Sequence, residues 1–273
     1  MAKEIIDVLT EMREKAKPYA VATVVETIGS VSAKTGSKAV IDYEGRVVAG
    51  WVGGGCAESS TCEEALQCIK SGESSVIDID LDDEVLGAGM PCGGNMRVYV
   101  EPVLPRPTLW LMGHGRVAEC LCQMADLMGL RVIVNDPIIS WEKYQAAEKL
   151  ITDDIDYEHL QPEAGDYVVI ATQHKGDHES MKRALVSRAE YIALIASRKR
   201  SRLVLDYLRH EGFSEADLKR VMAPSGLDLG ARTPEEIALC VISEIVLVRR
   251  QGSGMRMRDK LMLAAEQAKL VNV

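Results

Sequence analysis

Phenylalanine is almost absent from this chain, with one residue in 273 and aromatic side chains of all kinds at 4%. Its cores must therefore be filled by aliphatic side chains. Also missing is any apolar run of the roughly 18 to 20 residues that a membrane helix needs. The best stretch, Ile237 to Val248, is short and interrupted by Glu244. The start, Met1 to Lys17, alternates charge with Ile5, Val8, Leu9 and Met12 at helical spacing and has no signal-peptide core. A cytoplasmic protein with no membrane contact is expected. Basic charge is in deficit, 32 Lys and Arg against 41 Asp and Glu, which argues against a grip on nucleic-acid backbones. There is no CxxC pair and no His cluster at zinc spacing. The seven cysteines are an odd number without a framework, so reduced thiols are expected rather than disulfides.

What remains is an ordinary globular balance, 47% hydrophobic and 27% charged, in a chain long enough for two domains. After the first helical stretch, Tyr19 to Glu26 reads as a strand and Thr27 to Ser37 as a polar loop. Lys38 to Tyr43 and Arg46 to Val52, joined by Glu44-Gly45, read as a hairpin. The second of these runs into Gly53-Gly54-Gly55. From Cys56 the period changes, with Cys62, Ala65, Leu66 and Ile69 predicting one buried helical face that ends near Gly72. Ser74 to Leu81 and Asn95 to Val103 are further strands, separated by Pro91-Cys92-Gly93-Gly94. Pro102, Pro105 and Pro107 cannot continue a central element, which places a boundary after residue 104 between a small mixed α/β domain (1–104) and a second domain (105–273).

The second domain opens with the apolar Leu109 to Met112, then Gly113-His114-Gly115-Arg116-Val117-Ala118, then a helix with Val117, Leu121, Met124 and Met128 on one face. Arg131 to Asn135 is the next strand and closes at Asp136. This is a GxGxxA fingerprint inside a βαβ unit, with an acidic residue about 20 positions on. Strands at Tyr167 to Ala171 and Tyr191 to Ala196, each followed by a helical pattern, complete a Rossmann-like doubly wound parallel sheet. Thr233-Pro234-Glu235-Glu236 supplies an N-cap and capping box for a helix to about Arg249. The tail from Met255 reads as a short amphipathic helix.

Two glycine turns carry the candidate chemistry of the first domain. Cys56 stands at a helix start, where free amides and the helix dipole favour a thiolate, so it is a candidate nucleophile or soft-metal ligand; the alternative is that a tight turn there simply requires a small residue. Glu58 either orients a ligand or decorates the first helical turn. Cys56, Cys62 and Cys68 recur every sixth residue, so successive thiols lie about 240° apart around a helix and cannot share one metal. Cys120, Cys122 and Cys240 fit apolar helical patterns. That leaves Cys92, beside Gly93 and Gly94, as the plausible second thiol.

In the second domain the fingerprint predicts a pyrophosphate at Gly113 and Gly115 and a ribose hydroxyl on Asp136. His174 and Asp177, just past a strand at the sheet's carboxyl edge, are candidates for acid and base or for hydrogen-bonding loop residues. Ser197-Arg198 follows the next strand and either holds phosphate or starts a solvated helix. An NAD(P)-dependent oxidoreductase using Asp136 and His174 is one reading of this half.

Taken together, Gly29-Ser30, Gly36-Ser37-Lys38, Gly54-Gly55-Cys56 with Glu58, Cys92-Gly93-Gly94, Gly113 to Ala118, Thr172, His174, Asp177, Ser197-Arg198, Gly226 to Gly230 and Thr233 to Ala238 resemble the XdhC/CoxI family of molybdenum-hydroxylase maturation factors. The stretch Trp51 to Cys56 is similar to the CoxF-like branch. The resemblance implies a factor that binds the molybdenum cofactor, as molybdopterin or a dinucleotide form, supports its sulfuration and delivers it to an apo molybdenum hydroxylase such as xanthine or carbon monoxide dehydrogenase. It implies Cys56 and Cys92 near the molybdenum, and Gly54, Gly55, Glu58, Gly93 and Gly94 around it. Sulfur would come from a partner cysteine desulfurase, so the chain need not be a catalyst. A scaffold that docks desulfurase to client is a third reading. A homodimer is the commonest assembly for a soluble protein of this kind.

Overall fold

A proline-rich joint divides the chain. Residues Met1–Arg106 form one unit and Pro107–Val273 another, and the break falls among prolines that lack an amide donor and fix φ. The computed structural model describes residues 5–14, 17–81, 94–172 and 176–263.

The first unit runs α1 (Ile5–Glu14), β1 (Tyr19–Gly29), β2 (Lys38–Asp42), β3 (Val47–Gly50), α2 (Cys56–Ser71), β4 (Ser75–Asp80) and β5 (Gly94–Val103). Its strands form one antiparallel sheet in the order β3-β2-β1-β5-β4. The period of two sorts the side chains. Ala20, Ala22 and Val24 of β1 pack with Met96, Val98 and Val100 of β5 in the cluster that includes α2, while Tyr19 and Val40 pack with Val8 and Met12 of α1. The β1–β5 register slips between Val24 and Glu26, a bulge. Beyond it Thr27 and Ile28 go on pairing with Met96 and Asn95, so β1 extends past its Val- and Thr-rich run. The Glu44-Gly45 turn is held by Asp42, whose carboxylate accepts from the amides of Glu44 and Arg46 at 2.9 Å each.

Helix α2 lies rotated from the expected face. Its buried stripe is Ala57, Thr61, Ala65 and Cys68, whereas Leu66 is 39% exposed. Small side chains bring the helix axis close to the sheet. The polar group among them is satisfied, since the Thr61 hydroxyl donates to the Ala57 carbonyl at 2.6 Å.

The second unit contains β6 (Thr108–Gly113), α3 (Arg116–Leu127), β7 (Arg131–Asn135), β8 (Lys149–Ile151), β9 (Tyr167–Ala171), α4 (Asp177–Val186), β10 (Tyr191–Leu194), α5 (Arg198–His210), α6 (Glu215–Leu218), β11 (Val221–Met222) and α7 (Pro234–Arg250). Residues 257–263 are helical again. All strands are parallel, in the order β8-β7-β6-β9-β10-β11. Counted from β6 this is 3-2-1-4-5-6, the dinucleotide-binding order, whose direction of winding reverses between β6 and β9. A mixed α/β unit followed by a Rossmann-like parallel sheet is thus the fold class. Strands β8 and β11 are too short for hydrophobic periodicity to reveal.

Leu109, Leu111, Leu121, Ala125, Val241 and Ile245 join α3 and α7 to one face of the sheet. Val168, Ile170, Met181, Val204 and Leu208 join α4 and α5 to the other. Cys120 and Cys122, about 200° apart on α3, are both buried, because α3 is packed against α7 as well as the strands; Cys120 lies 3.8 Å from Glu235 of α7. Met128, expected inward, is 41% exposed. Thr233 and Glu236 form the capping box that opens α7. No helix among the described residues is long and apolar enough to cross a membrane.

Leu121 is fully buried where α3 meets the sheet. Leu121→Ala is expected to cost about 2–5 kcal/mol, read as an earlier urea midpoint for the unfolding of the second unit.

Candidate functional site

In the first unit the chain leaves β3 through exposed Trp51 and buried Val52, then turns into α2 over three glycines. Gly53 has φ +117°, and a Cβ there would stand 3.0 Å from that of Ala57, so no larger residue fits the corner. Gly55 caps α2 without any side-chain hydrogen bond. The first amides of a 16-residue helix are thereby left for solvent or an anion. Nothing stands within 4 Å of the Cβ position at Gly54, so the turn is open on that side. Half-buried Cys56 and Glu58 follow.

Gly94 opens β5 opposite Gly29 of β1. A Cβ on Gly94 would lie 2.5 Å from the Ile28 carbonyl oxygen, 3.0 Å from the Val31 side chain and 3.1 Å from the Ser30 amide. Ala33 of the same loop is 4.0 Å from the Cβ position at Gly53. Gly53 and Gly94 therefore both border the loop Ser30–Ala33. Ser37 braces that loop, its carbonyl accepting from Val24 at 2.9 Å and its hydroxyl from the Lys34 amide at 3.2 Å. Cys92 and Gly93 lie outside the described residues.

Four of the other thiols, Cys62, Cys68, Cys120 and Cys122, are held protonated. Burial pushes Cys122 up to about 12. Cys62 and Cys68 are raised by burial first, with the Glu58 and Glu64 carboxylates adding to it, and Cys120 is raised chiefly by burial. A recess of about 560 Å³ at Gln67, Lys70, Ser71 and Ser75 lies at the far end of α2 from Cys56. Brief iodoacetamide treatment of the native protein is expected to modify Cys56 while leaving Cys68, Cys120 and Cys122 unmodified, as read by peptide mass mapping.

In the second unit Gly113 ends β6 beside Ala171, the last residue of β9. Its φ is +120°, and any Cβ would run into the Ala171 carbonyl. Gly115 caps α3, again without a side-chain hydrogen bond. Asp136 follows β7 and is 9% exposed. Its Oδ2 lies 2.9 Å from His114 Nδ1, and its Oδ1 accepts from the Ile138 amide at 3.1 Å. The acid expected at a ribose is thus tied back to the fingerprint turn. Asp177, 2% exposed, accepts from the Thr172 hydroxyl and from Arg200 Nε at 2.9 Å. These contacts link the end of β9 to the first turns of α4 and α5. Ser197 caps α5, accepting from the Arg200 amide at 3.3 Å, while Arg198 is exposed. His174 lies outside the described residues.

Sequence reasoning missed the loop after β8. Asp154, 7% exposed, accepts from the Glu158 and His159 amides at 2.8 and 2.9 Å and from Asn135 Nδ2 at 3.0 Å. These bonds hold Tyr157 at φ +56°, a left-handed conformation that costs a side chain of its size about 1–3 kcal/mol. The Tyr157 hydroxyl lies against Gly176 at the start of α4. Burial, then Asp136, Asp177 and Asp154, push its pKa up to about 12. The acid-rich run from Asp153 to Asp156 signals this loop only once the three residues of β8 are recognised as a strand.

Burial alone would raise Asp154, but the His159 and Glu158 amides and the His159 side chain outweigh it and hold the carboxyl below its usual range. Its stabilisation is therefore present above the unfolded value of about 3.9 and is lost as pH falls through the lower folded value. Asp154→Ala should unfold more easily than wild type at pH 7, with the difference in denaturant midpoint shrinking below about pH 4.

Residues 109–245 match the XdhC Rossmann domain and residues 12–80 match the XdhC and CoxI family. Over 251 residues the chain is 30% identical to YqeB of Escherichia coli (strain K12), covering 89% of this chain and 46% of that protein. Over 160 residues it is 28% identical to a protein of Bacillus subtilis (strain 168) named as a probable xanthine dehydrogenase subunit, covering 56% of this chain and 46% of the relative. The chain spans about half the length of these two relatives. A third, the molybdenum cofactor insertion chaperone PaoD of Escherichia coli (strain K12), is 23% identical over 282 residues, covering 90% of this chain and 88% of PaoD. With a family match in each unit, and the Rossmann-domain match alone spanning half of its residues, the chain belongs to the XdhC and CoxI family.

Proposed function

We propose that this protein binds the molybdenum cofactor, shelters it during maturation and hands it to an apo molybdenum hydroxylase of the xanthine dehydrogenase type. The observation that carries the reading is the uncapped, open Gly53–Gly55 turn with half-buried Cys56 at its exit. A dithiolene-bound molybdenum centre is anionic and soft. Helix N-terminal amides favour the charge, and a thiol is a soft donor. A cradle open to solvent suits a cargo that must leave again. The shared loop beside Gly53 and Gly94 supports a single site to which Cys92 brings the second thiol. The relatives agree with this reading: PaoD is by name an insertion chaperone for this cofactor, and the Bacillus subtilis relative is by name part of a probable xanthine dehydrogenase.

In this reading α3 of the Rossmann-like unit seats a phosphate group, since its N-cap is Gly115. A cysteine desulfurase supplies the sulfur, a carbon monoxide dehydrogenase is an alternative client, and a cytoplasmic homodimer is the working form. A second reading, an NAD(P)-dependent oxidoreductase, is favoured by the strand order and by Asp136 at the end of β7. It requires NADH or NADPH to bind in the micromolar range, which a fluorescence titration reads directly.

Mixed with released cofactor and passed over a sizing column, the wild-type protein is expected to carry molybdenum, and Cys56→Ala to carry several-fold less. No molybdenum on wild type would overturn the chaperone role. Unchanged retention in a Cys56→Ala, Cys92→Ala double variant would overturn the thiol assignment and leave the role standing.

A further inference from the structure

In a parallel sheet of this strand order, the acid that follows the second strand is the group that accepts from the ribose of a bound nucleotide. Asp136 stands at that place, directly after β7, but both of its oxygens are engaged by the protein. Oδ1 accepts from the Ile138 amide at 3.1 Å, two residues on in its own turn, and Oδ2 lies 2.9 Å from Nδ1 of His114. An ionised carboxylate can only accept, so Nδ1 carries the proton and donates.

His114 is the middle residue of the fingerprint turn, between Gly113 and Gly115. With a glycine on each side, it brings the one side chain of that corner, and this side chain is turned onto the acid. The imidazole keeps 25% of its side-chain surface exposed, whereas Asp136 keeps 10%. The ring is thus the outer member of the pair and the acid the inner one. A ribose seeking Asp136 would have to take Oδ2 from His114, and the hydrogen bond it gained would replace one that was lost. A phosphate faces no such exchange. The direction of winding reverses between β6 and β9, and the Gly113 turn leads there into the 12-residue helix α3, so the partners on offer to a phosphate are backbone amides.

We propose that His114 is a specificity-determining residue of the second unit: by holding Asp136 it withdraws the ribose contact, so the ligand is bound through phosphate and its ribose hydroxyls are not read. The inference rests on the reading of α3 as a phosphate seat and narrows it. The ligand class is a phosphate ester recognised without its sugar. A phosphorylated pterin satisfies that rule, and a nicotinamide dinucleotide loses its usual anchor under it.

The test is calorimetric titration of the full chain with ADP and with 2′-deoxy-ADP, which differ by the one hydroxyl that the acid would accept. Wild type is expected to bind both with affinities equal within about twofold. His114→Ala uncovers Asp136, and this variant is expected to bind ADP about tenfold more tightly than 2′-deoxy-ADP. Adding Asp136→Ala to it should return the ratio to about one. If His114→Ala does not fold, His114→Ser, which keeps a polar group on the turn, is read in the same way. A purely structural bond between His114 and Asp136 would move both nucleotides alike, so a ratio that stays at one in the folded His114 variant overturns the proposal. A preference for ADP of about tenfold or more in wild type also overturns it, because Asp136 then reads the ribose with His114 in place, and the phosphate seat stands. Binding of neither nucleotide to wild type removes the phosphate seat and the proposal with it.

Discussion

A carboxylate taken out of water must be given partners or it will not stay charged, and the carboxyl edge of the second unit is built around meeting that demand three times. Asp177 is held by the Thr172 hydroxyl and Arg200, Asp154 by two amides and Asn135, and Asp136 by His114 and the Ile138 amide. Each set of partners comes from an element other than the acid's own turn or strand, or from the loop that the acid shapes. Satisfying the charges therefore fixes where α4, α5, the fingerprint turn and the loop after β8 stand relative to the strands. Remove one partner and a buried charge is stranded, so the edge holds as a set.

The same demand commits to the fold itself some of the acids that the sequence offers as ligand contacts. Asp177 sits where a doubly wound fold presents its chemistry, yet its side chain is committed to Arg200. Arg198, two residues earlier, is exposed. Proximity to the sheet edge is thus a poor guide to which side chain the fold itself engages.

How far the sequence can be read follows from which interactions are local. Strand, glycine turn and helix at Gly113 are legible because turn geometry and helix start are set within a few residues, and the capping box at Thr233 for the same reason. The buried faces of α2 and α3 read with a rotation. Large apolar residues ordinarily mark the inside, but Ala57, Thr61 and Ala65 let α2 lie close to the sheet, and α7 covers a second side of α3. Strands β8 and β11 carry too few residues for any period. Asp136 is legible at the right strand end, whereas its engagement by His114 depends on the path of the turn. Tyr157 is invisible in the sequence, since its place against Gly176 arises only when segments remote in the chain converge.

Gly54 differs from the glycines on either side of it. Gly53 and Gly55 take up left-handed backbone and Gly54 does not, and no atom lies near the position its side chain would occupy. The fold itself would therefore accept a methyl group or more at this position. Gly54 is exposed, so a side chain added there would extend into solvent, and Gly54→Ala separates the shape of the turn, which Gly53 and Gly55 set, from the openness of its outer side.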